Sequence, residues 1–367
     1  MRVLLLSAYD AYSHRRWREG LVAAFPDWDW NVLTLPPRHF NWRIRGNSLS
    51  WAFTEQARLA RPCDLLIATS MTDLATLKGL VPGLAGVPTL VYCHENQFAY
   101  PLGREETPRL EPRMVNLYTT LAADRVVFNS ACNRDSFLAG VQALLDRMPD
   151  AVPPGIAGRI GARSRILPVP LETHWFSRQL PGPEAGAPFT IVWNHRWEYD
   201  KAPELLYQAL LQLRAVGIEF RVHVIGQQFR EQPPVFAEMQ QALAGCIGEW
   251  GMVRDAADYR ALLRQSHVVL STARHEFQGL AVLEAVASGC IPLVPDRLAY
   301  PEWLAPEYRY PSWPADPVRE SGDIARRLML LAKQHKQGVL PPAPDVSGLS
   351  WSRLGPDYAA EIGQLLQ

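Results

Sequence analysis

The sequence predicts an α/β protein built from two Rossmann-like, doubly wound domains that face each other across a cleft. Three observations predict this fold. The chain has 367 residues, enough for two domains that each bury a core of their own. Short apolar runs alternate with helix-like segments through both halves, which is the pattern of parallel sheets covered on both faces. A segment rich in proline and glycine separates the two alternating series.

The first series predicts an N-terminal domain over residues 1–179. Its strands are expected at residues 3–8, 30–35, 65–70, 89–94, 125–129 and 165–169, with the first helix from about His14. A surface loop is expected around residues 148–156. Residues 180–188 cannot extend a helix or a central strand, so they are predicted to be the linker.

The second series predicts a C-terminal domain over residues 189–350. Its strands are expected at residues 189–193, 220–225, 267–272 and 291–294. Helices are expected at residues 203–216, at residues 236–243 and from the turn at Gly279 to about Ser288. Residues 351–367 follow a proline-rich connection and are expected to form a helix that packs back on the N-terminal domain.

Composition limits the classes of function. The chain is 48% hydrophobic and 20% charged, and it carries no net charge, so no overall basic surface indicates nucleic-acid binding. No apolar run approaches the roughly 18 residues that cross a membrane. The five cysteines are scattered and form no CxxC pair, which argues against a disulfide framework and a zinc site. We expect a cytoplasmic protein.

The most informative segment begins at Glu276 and ends at Glu284, two glutamates on either side of a small-residue turn. It joins a buried strand to an apolar helix, and parallel sheets bind ligands at the carboxyl ends of their strands. The helix start offers the N–H groups of Gly279, Leu280 and Ala281 to a phosphate. Glu284 lies in a nearly apolar helix and therefore needs a partner or a ligand, for which a neighbouring arginine is the alternative.

A second cluster opens the C-terminal domain. The strand is expected to end at Asn194, Arg196 follows in a loop, and Lys201 lies at the start of the next helix. Two cations five residues apart at the carboxyl end of a strand suit a diphosphate, because fixed positive charge stabilises a leaving phosphate. The alternative is a solvated loop in which these cations pair with Glu198 and Asp200.

The densest polar cluster of the N-terminal domain follows the strand at 89–94. It is a run of four hydrogen-bonding side chains with aromatic residues after it: His94, Glu95, Asn96 and Gln97. Such a run at the carboxyl end of a buried strand favours a binding site over a purely structural histidine. Ser13 and His14 form a second such corner, where the first strand turns into the first helix.

The stretch from Pro36 to Pro62 carries a local surplus of positive charge. It contains five arginines against a single acid, Glu55. Arginines interleaved with aromatic side chains suit stacking on a base while neutralising phosphates. The candidates are Arg38, Trp42, Arg43 and Arg45. The alternative is a charged loop whose aromatic residues, among them Trp51, are tucked into the core.

These motifs together resemble one family. The Ser13–His14 turn, the LPxxxxxWRxR stretch from Leu35, the CHENQFAYP cluster and the RHEFQGLAVLEA corner are similar to those of the tRNA-queuosine alpha-mannosyltransferases. These are retaining glycosyltransferases of the family-4 type with the GT-B fold. The resemblance extends from Val3 to about Pro306. The glutamate corner is shared by many family-4 enzymes, whereas the CHENQ and WRxR stretches are selective.

The resemblance implies GDP-mannose as the donor and the cyclopentenediol of queuosine in tRNA(Asp) as the acceptor. The N-terminal domain would bind the acceptor and the C-terminal domain the nucleotide-sugar. Glu276 would contact hydroxyls of the donor sugar and Glu284 the ribose, while Arg196 and Lys201 hold the leaving diphosphate. His94 would position the reacting sugar, with no protein nucleophile. The implied acceptor-binding residues are Ser13, His14, Arg38, Trp42, Arg43, Arg45, Glu95, Asn96 and Gln97.

No metal ion is expected at the site. The sequence from Asp27 to Asp29 mimics the DxD motif of metal-dependent transferases, but it falls between a helix and an edge strand, where aspartate is a normal turn residue. One departure from the family pattern concerns the first corner, where family-4 enzymes carry glycines and this chain has Asp10, Ala11 and Tyr12.

Two other functions stay open from the sequence. A family-4 enzyme acting on a lipid or polysaccharide at a membrane surface would use a basic amphipathic helix, and the helix from His14 to Phe25 has that character. A non-catalytic RNA- or nucleotide-binding protein could use the same fold. The complete set of candidate catalytic residues (His94, Arg196, Lys201 and Glu276) favours the enzyme.

Overall fold

The computed structural model describes residues 1–100, 109–177, 182–184 and 186–367. By its internal contacts the chain divides into two units. Unit 1 comprises Met1–Pro170 and Trp351–Gln367, and unit 2 comprises Leu171–Ser350. The division therefore falls at Pro170, ahead of the proposed linker at 180–188. Residues 180, 181 and 185 of that linker, and Pro101 of the polar cluster, lie outside the described residues.

The described residues of unit 1 form a six-stranded sheet in the order β2-β1-β3-β4-β5-β6, with every pair parallel. The strands are β1 (Arg2–Ser7), β2 (Asp29–Thr34), β3 (Leu65–Thr69), β4 (Thr89–Cys93), β5 (Arg125–Phe128) and β6 (Ser164–Ile166). The helices are α1 (Tyr12–Ala24), α2 (Phe40–Thr54), α3 (Gln56–Leu59), α4 (Leu74–Leu80), α5 (Leu110–Leu121), α6 (Ala131–Leu145), α7 (Ile156–Ala162) and, from the far end of the chain, α14 (Trp351–Leu365).

The described residues of unit 2 form a second six-stranded parallel sheet in the order β12-β11-β10-β7-β8-β9. The strands are β7 (Phe189–Asn194), β8 (Phe220–Ile225), β9 (Ile247–Gly251), β10 (Val268–Leu270), β11 (Ile291–Pro295) and β12 (Arg309–Tyr310). The helices are α8 (Pro203–Ala215), α9 (Val235–Ala242), α10 (Ala256–Gln265), α11 (Leu280–Ser288), α12 (Tyr300–Trp303) and α13 (Pro317–Lys336).

Both faces of the unit 2 sheet are buried, as its apolar strands require. Successive side chains of a strand point to opposite faces. Ile191 and Trp193 of β7 pack in one core with α8 and α13, and Val192 packs in the other core with α11. The strand order reverses between β7 and β10. The carboxyl ends of strands at such a switch point are where doubly wound sheets bind their ligands.

Helix α14 is fastened to unit 1 by buried polar contacts. Trp17 Nε1 donates to the hydroxyl of Tyr358 over 3.1 Å, and the Tyr358 hydroxyl lies 3.0 Å from the carbonyl oxygen of Pro168 and 3.1 Å from the hydroxyl of Tyr92. Glu361 Oε1 forms an ion pair with Arg125 Nε, at a distance of 2.7 Å. The last helix therefore completes the surroundings of β4, the strand that leads to His94.

Several elements differ from the prediction. The arginine-rich stretch is not a loop, because α2 and α3 occupy most of it. Strand β6 ends at Ile166, since prolines at 168 and 170 cannot donate to a ladder. Strands β9 and β12 and the long helix α13 were not predicted. No helix in the described ranges combines the length and the apolar character needed to span a bilayer.

Candidate active site

The glutamate corner of unit 2 lies at its switch point. Asn194 ends β7, and the loop that follows β10 leads through Glu276 into α11. Gly279 caps that helix with φ of 83°, a conformation that favours glycine. A Cβ atom at Gly279 would lie 2.8 Å from a ring carbon of Tyr300, so a larger residue would also meet that ring. The predicted strand–turn–helix corner is present.

Lys201 is the centre of a buried ionic cluster in this corner. Its Nζ lies 3.1 Å from Asp200 Oδ2 and 3.4 Å from Glu276 Oε2, and it donates to the carbonyl oxygen of His275 over 2.6 Å. The side chains of Lys201 and Asp200 are 6% and 9% exposed. The pairing with Asp200 that sequence reasoning offered as an alternative is therefore present, but the lysine is buried and also holds Glu276.

The electrostatics of this cluster keep each group charged. Burial opposes the charge of Lys201, yet the carboxylates of Glu276 and Asp200 outweigh it and raise the pKa of the lysine. Burial likewise opposes the ionised form of Glu276, but Lys201, followed by two histidines, lowers its pKa. The pKa of Asp200 is also lowered, against burial, by hydrogen bonding to His275 and by the charge of Lys201. At neutral pH, Glu276 is an anion held against a cation.

Arg196 lies in the loop after β7 and is more exposed than Lys201. Its Nη2 lies 3.0 Å from Glu198 Oε2, and the two side chains are 42% and 35% exposed. Such a half-exposed pair contributes little to stability. The guanidinium therefore keeps an accessible face towards solvent, where it can exchange a carboxylate partner for a phosphate at small cost.

Glu284 is 4% exposed and lies just over one turn into α11. The hydroxyl of Tyr259 donates to Glu284 Oε2 over 3.1 Å. Asn194 Nδ2 donates to the carbonyl oxygen of Ala281 over 2.7 Å and to the Tyr259 hydroxyl over 3.1 Å. A tyrosine thus partners this glutamate, and Asn194 ties the end of β7 to the first turn of α11.

A buried hydrogen-bonded chain beneath the corner was missed by sequence reasoning. The hydroxyl of Ser271 lies 2.9 Å from His195 Nε2 and 2.6 Å from the hydroxyl of Tyr300. All three side chains are at most 4% exposed. Burial, followed by the charge of Lys201, lowers the pKa of His195 to about 3, so its imidazole is neutral. These hydrogen bonds link the loop that carries Arg196 to the ring of Tyr300, which packs against Gly279.

His94 of unit 1 lies in a nest of aromatic rings. Its ring centroid is 4.2 Å from that of His14, 4.7 Å from that of Tyr92 and 5.1 Å from that of Trp17. Burial, and then the neighbouring His14, lowers the pKa of His94 well below its usual value. Within the described ranges, the Nε2 atoms of His94 and His14 are buried without a hydrogen-bond partner. Both rings thus hold unused hydrogen-bonding capacity, and that of His94 is neutral.

The residues around these histidines do different things. His14 Nε2 lies 3.7 Å from Glu95 Oε1, and Ser13 Oγ lies 3.5 Å from His14 Nδ1. Asn96 is 1% exposed, and its side chain bonds Asn133 and caps the turn that follows it. Asn96 therefore shapes the loop. Sequence reasoning grouped it with its neighbours because adjacent polar residues carry no signal of which one turns inward.

The residues of the arginine-rich stretch also differ from one another in burial and in their partners. Arg43 is 8% exposed, within the packed side of α2. Arg45 Nη1 lies 2.9 Å from Asp73 Oδ2, and its Nε lies 3.3 Å from Glu111 Oε1. Trp51 is 1% exposed, whereas Trp42 is 54% exposed. Arg38, Trp42 and Arg45 are thus exposed, whereas Arg43 is buried.

No group of three or more metal-ligating side chains is placed to hold an ion in the part of the chain that the structure describes. Asp29 begins the edge strand β2 and pairs with Arg61 at 3.3 Å.

Two doubly wound parallel units, with a buried glutamate corner at the switch point of the second, define a glycosyltransferase of the GT-B type. Solved structures share the fold. Sucrose-phosphate synthase from Thermosynechococcus elongatus superposes with a TM-score of 0.68 at 14% identity, over 100% of this chain and 99% of that chain. HepE from Anabaena, in complex with UDP, gives a TM-score of 0.65 at 13% identity, over 99% of this chain and 100% of that chain.

Sequence comparison narrows the class to one family. Residues 2–171 match the family described as tRNA-queuosine alpha-mannosyltransferase N-terminal, and residues 188–310 match glycosyl transferases group 1. The tRNA-queuosine alpha-mannosyltransferase of Drosophila melanogaster is 32% identical over 315 residues, which is 84% of this chain and 83% of that protein. The chain belongs to the tRNA-queuosine alpha-mannosyltransferase family. The resemblance drawn from its sequence motifs is confirmed.

Proposed function

We propose that the chain transfers mannose from GDP-mannose to the cyclopentenediol of queuosine in tRNA(Asp), with retention at the anomeric carbon. Family membership and the Lys201–Glu276 cluster support this proposal together. A tRNA acceptor also implies a cytoplasmic site of action. In the reaction the bond from the anomeric carbon to the phosphate oxygen breaks, and a bond to an acceptor hydroxyl oxygen forms. The hydroxyl proton passes to the leaving phosphate oxygen, and GDP is released.

Unit 2 is assigned the donor. The N–H groups at the start of α11, from Gly279 to Ala281, suit the diphosphate, because a helix start carries partial positive charge. Arg196 adds a cation that becomes more valuable as the leaving phosphate gains charge. Glu276, fixed as an anion by Lys201, accepts hydrogen bonds from hydroxyls of the sugar. Glu284, held by Tyr259, is assigned to the ribose.

Lys201 acts mainly through Glu276 in this assignment. Its ammonium is buried and already has two carboxylate partners, so in the structure described it orients the glutamate. Arg196 is then the principal side-chain cation for the diphosphate. This division refines the expectation from sequence, which gave both cations the same role.

Unit 1 is assigned the acceptor. His94 is neutral and has an unpartnered buried Nε2, so it can bond a sugar hydroxyl without taking up a proton. We assign it a positioning role. His14 and Ser13 of α1 and Glu95 of the loop after β4 are the proposed acceptor contacts. The side chain of Asn96 and the backbone N–H of Gln97 hold that loop.

The test is the mass of nucleosides from queuosine-containing tRNA after incubation with the protein and GDP-mannose. A hexose added to queuosine by the wild type and lost in Glu276→Ala is the expected result. Glu302→Ala is the control for loss of an acid elsewhere in unit 2. Unmodified tRNA alongside transfer to an isolated membrane-lipid or glycan fraction would overturn the acceptor, and no transfer to any acceptor by a folded, donor-binding protein would overturn the enzyme.

A further inference from the structure

Trp42 is an exposed aromatic residue whose ring packs directly on a glycine. A Cβ atom at Gly46 would lie 2.4–2.7 Å from three neighbouring ring carbons of Trp42. A point almost equally distant from three consecutive ring atoms lies over the face of the ring. The indole therefore rests face-down on the glycine. Gly46 is in the interior of α2, where glycine costs about 0.5–1 kcal/mol relative to alanine, and here it makes room for the ring.

The other face of the indole is open. Trp42 is 54% exposed, although a tryptophan has much to gain from burial. Its counterpart on the same helix, Trp51, is 1% exposed in the core. One covered face and one open face make Trp42 a stacking platform, defined here as Trp42 with Gly46 beneath it.

Arginines lie around the platform. Arg38, four residues before it and ahead of the first residue of α2, is exposed and forms no ion pair within the described ranges. Arg45, one turn after it, is 48% exposed and pairs with the buried Asp73 and the exposed Glu111. Arg109 bonds the side chain of Asn41, the residue next to Trp42. An aromatic face among arginines favours a nucleobase with its phosphates over an apolar partner.

The platform is tied to the edge of the sheet that carries His94. Phe40 packs edge-on against Tyr9, which follows β1, with ring centroids 6.0 Å apart. Asn47 Nδ2 donates to the carbonyl oxygen of Met71 in the loop after β3. Met71 in turn lies 3.6 Å from Gln97 Nε2. Helix α2 is thus anchored to the loops on either side of the histidine nest.

We propose that the platform stacks an unpaired base of the acceptor RNA, a nucleotide other than the one that receives the sugar. This inference rests on the proposed function, because it assumes an RNA acceptor. It assigns Trp42 to recognition of the RNA and gives it no part in the chemistry. The occupant is one base plane, held on the indole with its phosphates near Arg38.

Three substitutions test the platform. Trp42→Ala removes it, Trp42→Phe keeps a smaller ring, and Phe53→Ala removes another aromatic side chain of α2 that is 63% exposed. Phe53 lies about 16 Å further along the helix axis, so it cannot share the same base. KM is measured for queuosine-containing tRNA and for GDP-mannose, and binding is measured directly with the same tRNA.

Trp42→Ala should raise KM and Kd for the tRNA by about 5- to 100-fold, the range expected for one lost base–aromatic stack. The KM for GDP-mannose and the rate at saturating tRNA should stay within about twofold, Trp42→Phe should fall between, and Phe53→Ala should match the wild type. Equal tRNA binding by Trp42→Ala and the wild type would overturn the platform. So would equal losses of tRNA binding in Trp42→Ala and Phe53→Ala, because they would show that the exposed aromatic side chains of α2 act together and that no single indole stacks a base.

The proposed function and the stacking platform are tested by different measurements. If the wild type adds no hexose to tRNA, the proposed function fails on that assay alone. The platform is then decided by direct binding of the tRNA to wild type and Trp42→Ala, where equal affinities overturn it and a selective loss in the variant supports it.

Discussion

Lys201 Nζ and Glu276 Oε2 lie 3.4 Å apart in a corner where the lysine side chain is 6% exposed. The same ammonium lies 3.1 Å from Asp200, so one cation separates two carboxylates. Removing one partner of a buried ionic group leaves uncompensated charge, which is far costlier than the pair is stabilising. The lysine is therefore the residue on which the ionisation of Glu276 depends.

Lys201→Met should lower both the rate of transfer and the stability of unit 2. Without the ammonium, Asp200 and Glu276 cannot both stay ionised, so Glu276 takes up a proton and transfer falls by about 100-fold or more. The free energy of unfolding of unit 2 should fall by about 3–5 kcal/mol. Steady-state transfer and thermal unfolding measure the two effects. Lys78→Met is the control, since Lys78 lies in unit 1, where it donates to the carbonyl oxygen of Ala122. An active Lys201→Met variant would contradict the role given to the lysine.

Ser271→Ala should weaken donor binding without touching any proposed ligand contact. The substitution removes the hydroxyl shared by His195 and Tyr300 and leaves both buried groups short of a partner, at a cost of about 1–3 kcal/mol. We expect a lower melting temperature and a several-fold higher KM for GDP-mannose, with the KM for tRNA unchanged. Ser266→Ala, which removes a buried hydroxyl bonded within α10 and its cap, is the comparison. Equal KM values for GDP-mannose in the two variants would exclude the positioning role.

Gly226→Ala should displace the loop that carries Arg196. A Cβ atom at Gly226 would lie 1.9 Å from the carbonyl oxygen of His195, and this clash with backbone cannot be relieved by a side-chain rotation. Donor affinity, measured by calorimetry with GDP-mannose, should fall by at least about 10-fold. Gly217→Ala is the control, because Gly217 also has a positive φ, 74° against 145° at Gly226, but no atom within 4 Å of the added carbon. It should lower stability by about 1–2 kcal/mol and leave donor affinity unchanged. The reverse pattern would contradict the proposed donor loop.

Because His94 binds a proton more readily in the unfolded state than in the folded state, unit 1 should be less stable in mild acid. The pKa of His94 is well below that of the unfolded chain, near 6.5, so below pH 6.5 the unfolded state binds the proton that the folded state refuses. The free energy of unfolding therefore falls as pH falls from 6.5, by up to about 1.4 kcal/mol per pH unit from this group. In His94→Gln this part of the slope should vanish. Hydrogen exchange of β4 between pH 7 and 5 measures it, and identical slopes in the two proteins would show that His94 is protonated in the fold.

The sequence placed the main corner correctly because three independent signals coincide there. A buried strand, a glycine turn and an apolar helix all converge on Gly279, and a glutamate in such a helix has few explanations. Helix α13 was missed although its signals are present. Asp316 caps it, Pro317 follows at its first turn, and Ile324 and Leu328 are buried one turn apart. The many charged residues of α13 obscure this line of buried apolar residues in the sequence pattern.

Other features could not be read from the sequence. Trp42 and Trp51 are the same residue type in the same stretch, and only the phase of α2 decides which one is buried. The Ser271 hydroxyl joins His195 to Tyr300 across 76 and 29 positions of the chain, a link that only the folded sheet creates. Pairing of Arg196 and Lys201 with nearby acids was foreseen as an alternative, but not that one of them would be buried.

The attachment of α14 to unit 1 has a consequence for biosynthesis. Tyr358 and Glu361, which complete the packing against Trp17 and Arg125, are translated only after the whole of unit 2. On the ribosome, unit 1 must therefore wait on the order of ten to thirty seconds for its last helix, at usual rates of chain elongation. During that interval the apolar side of α1 is uncovered, and unit 2 can fold first. Folding of unit 1 is thus completed only after the whole of unit 2 has been translated.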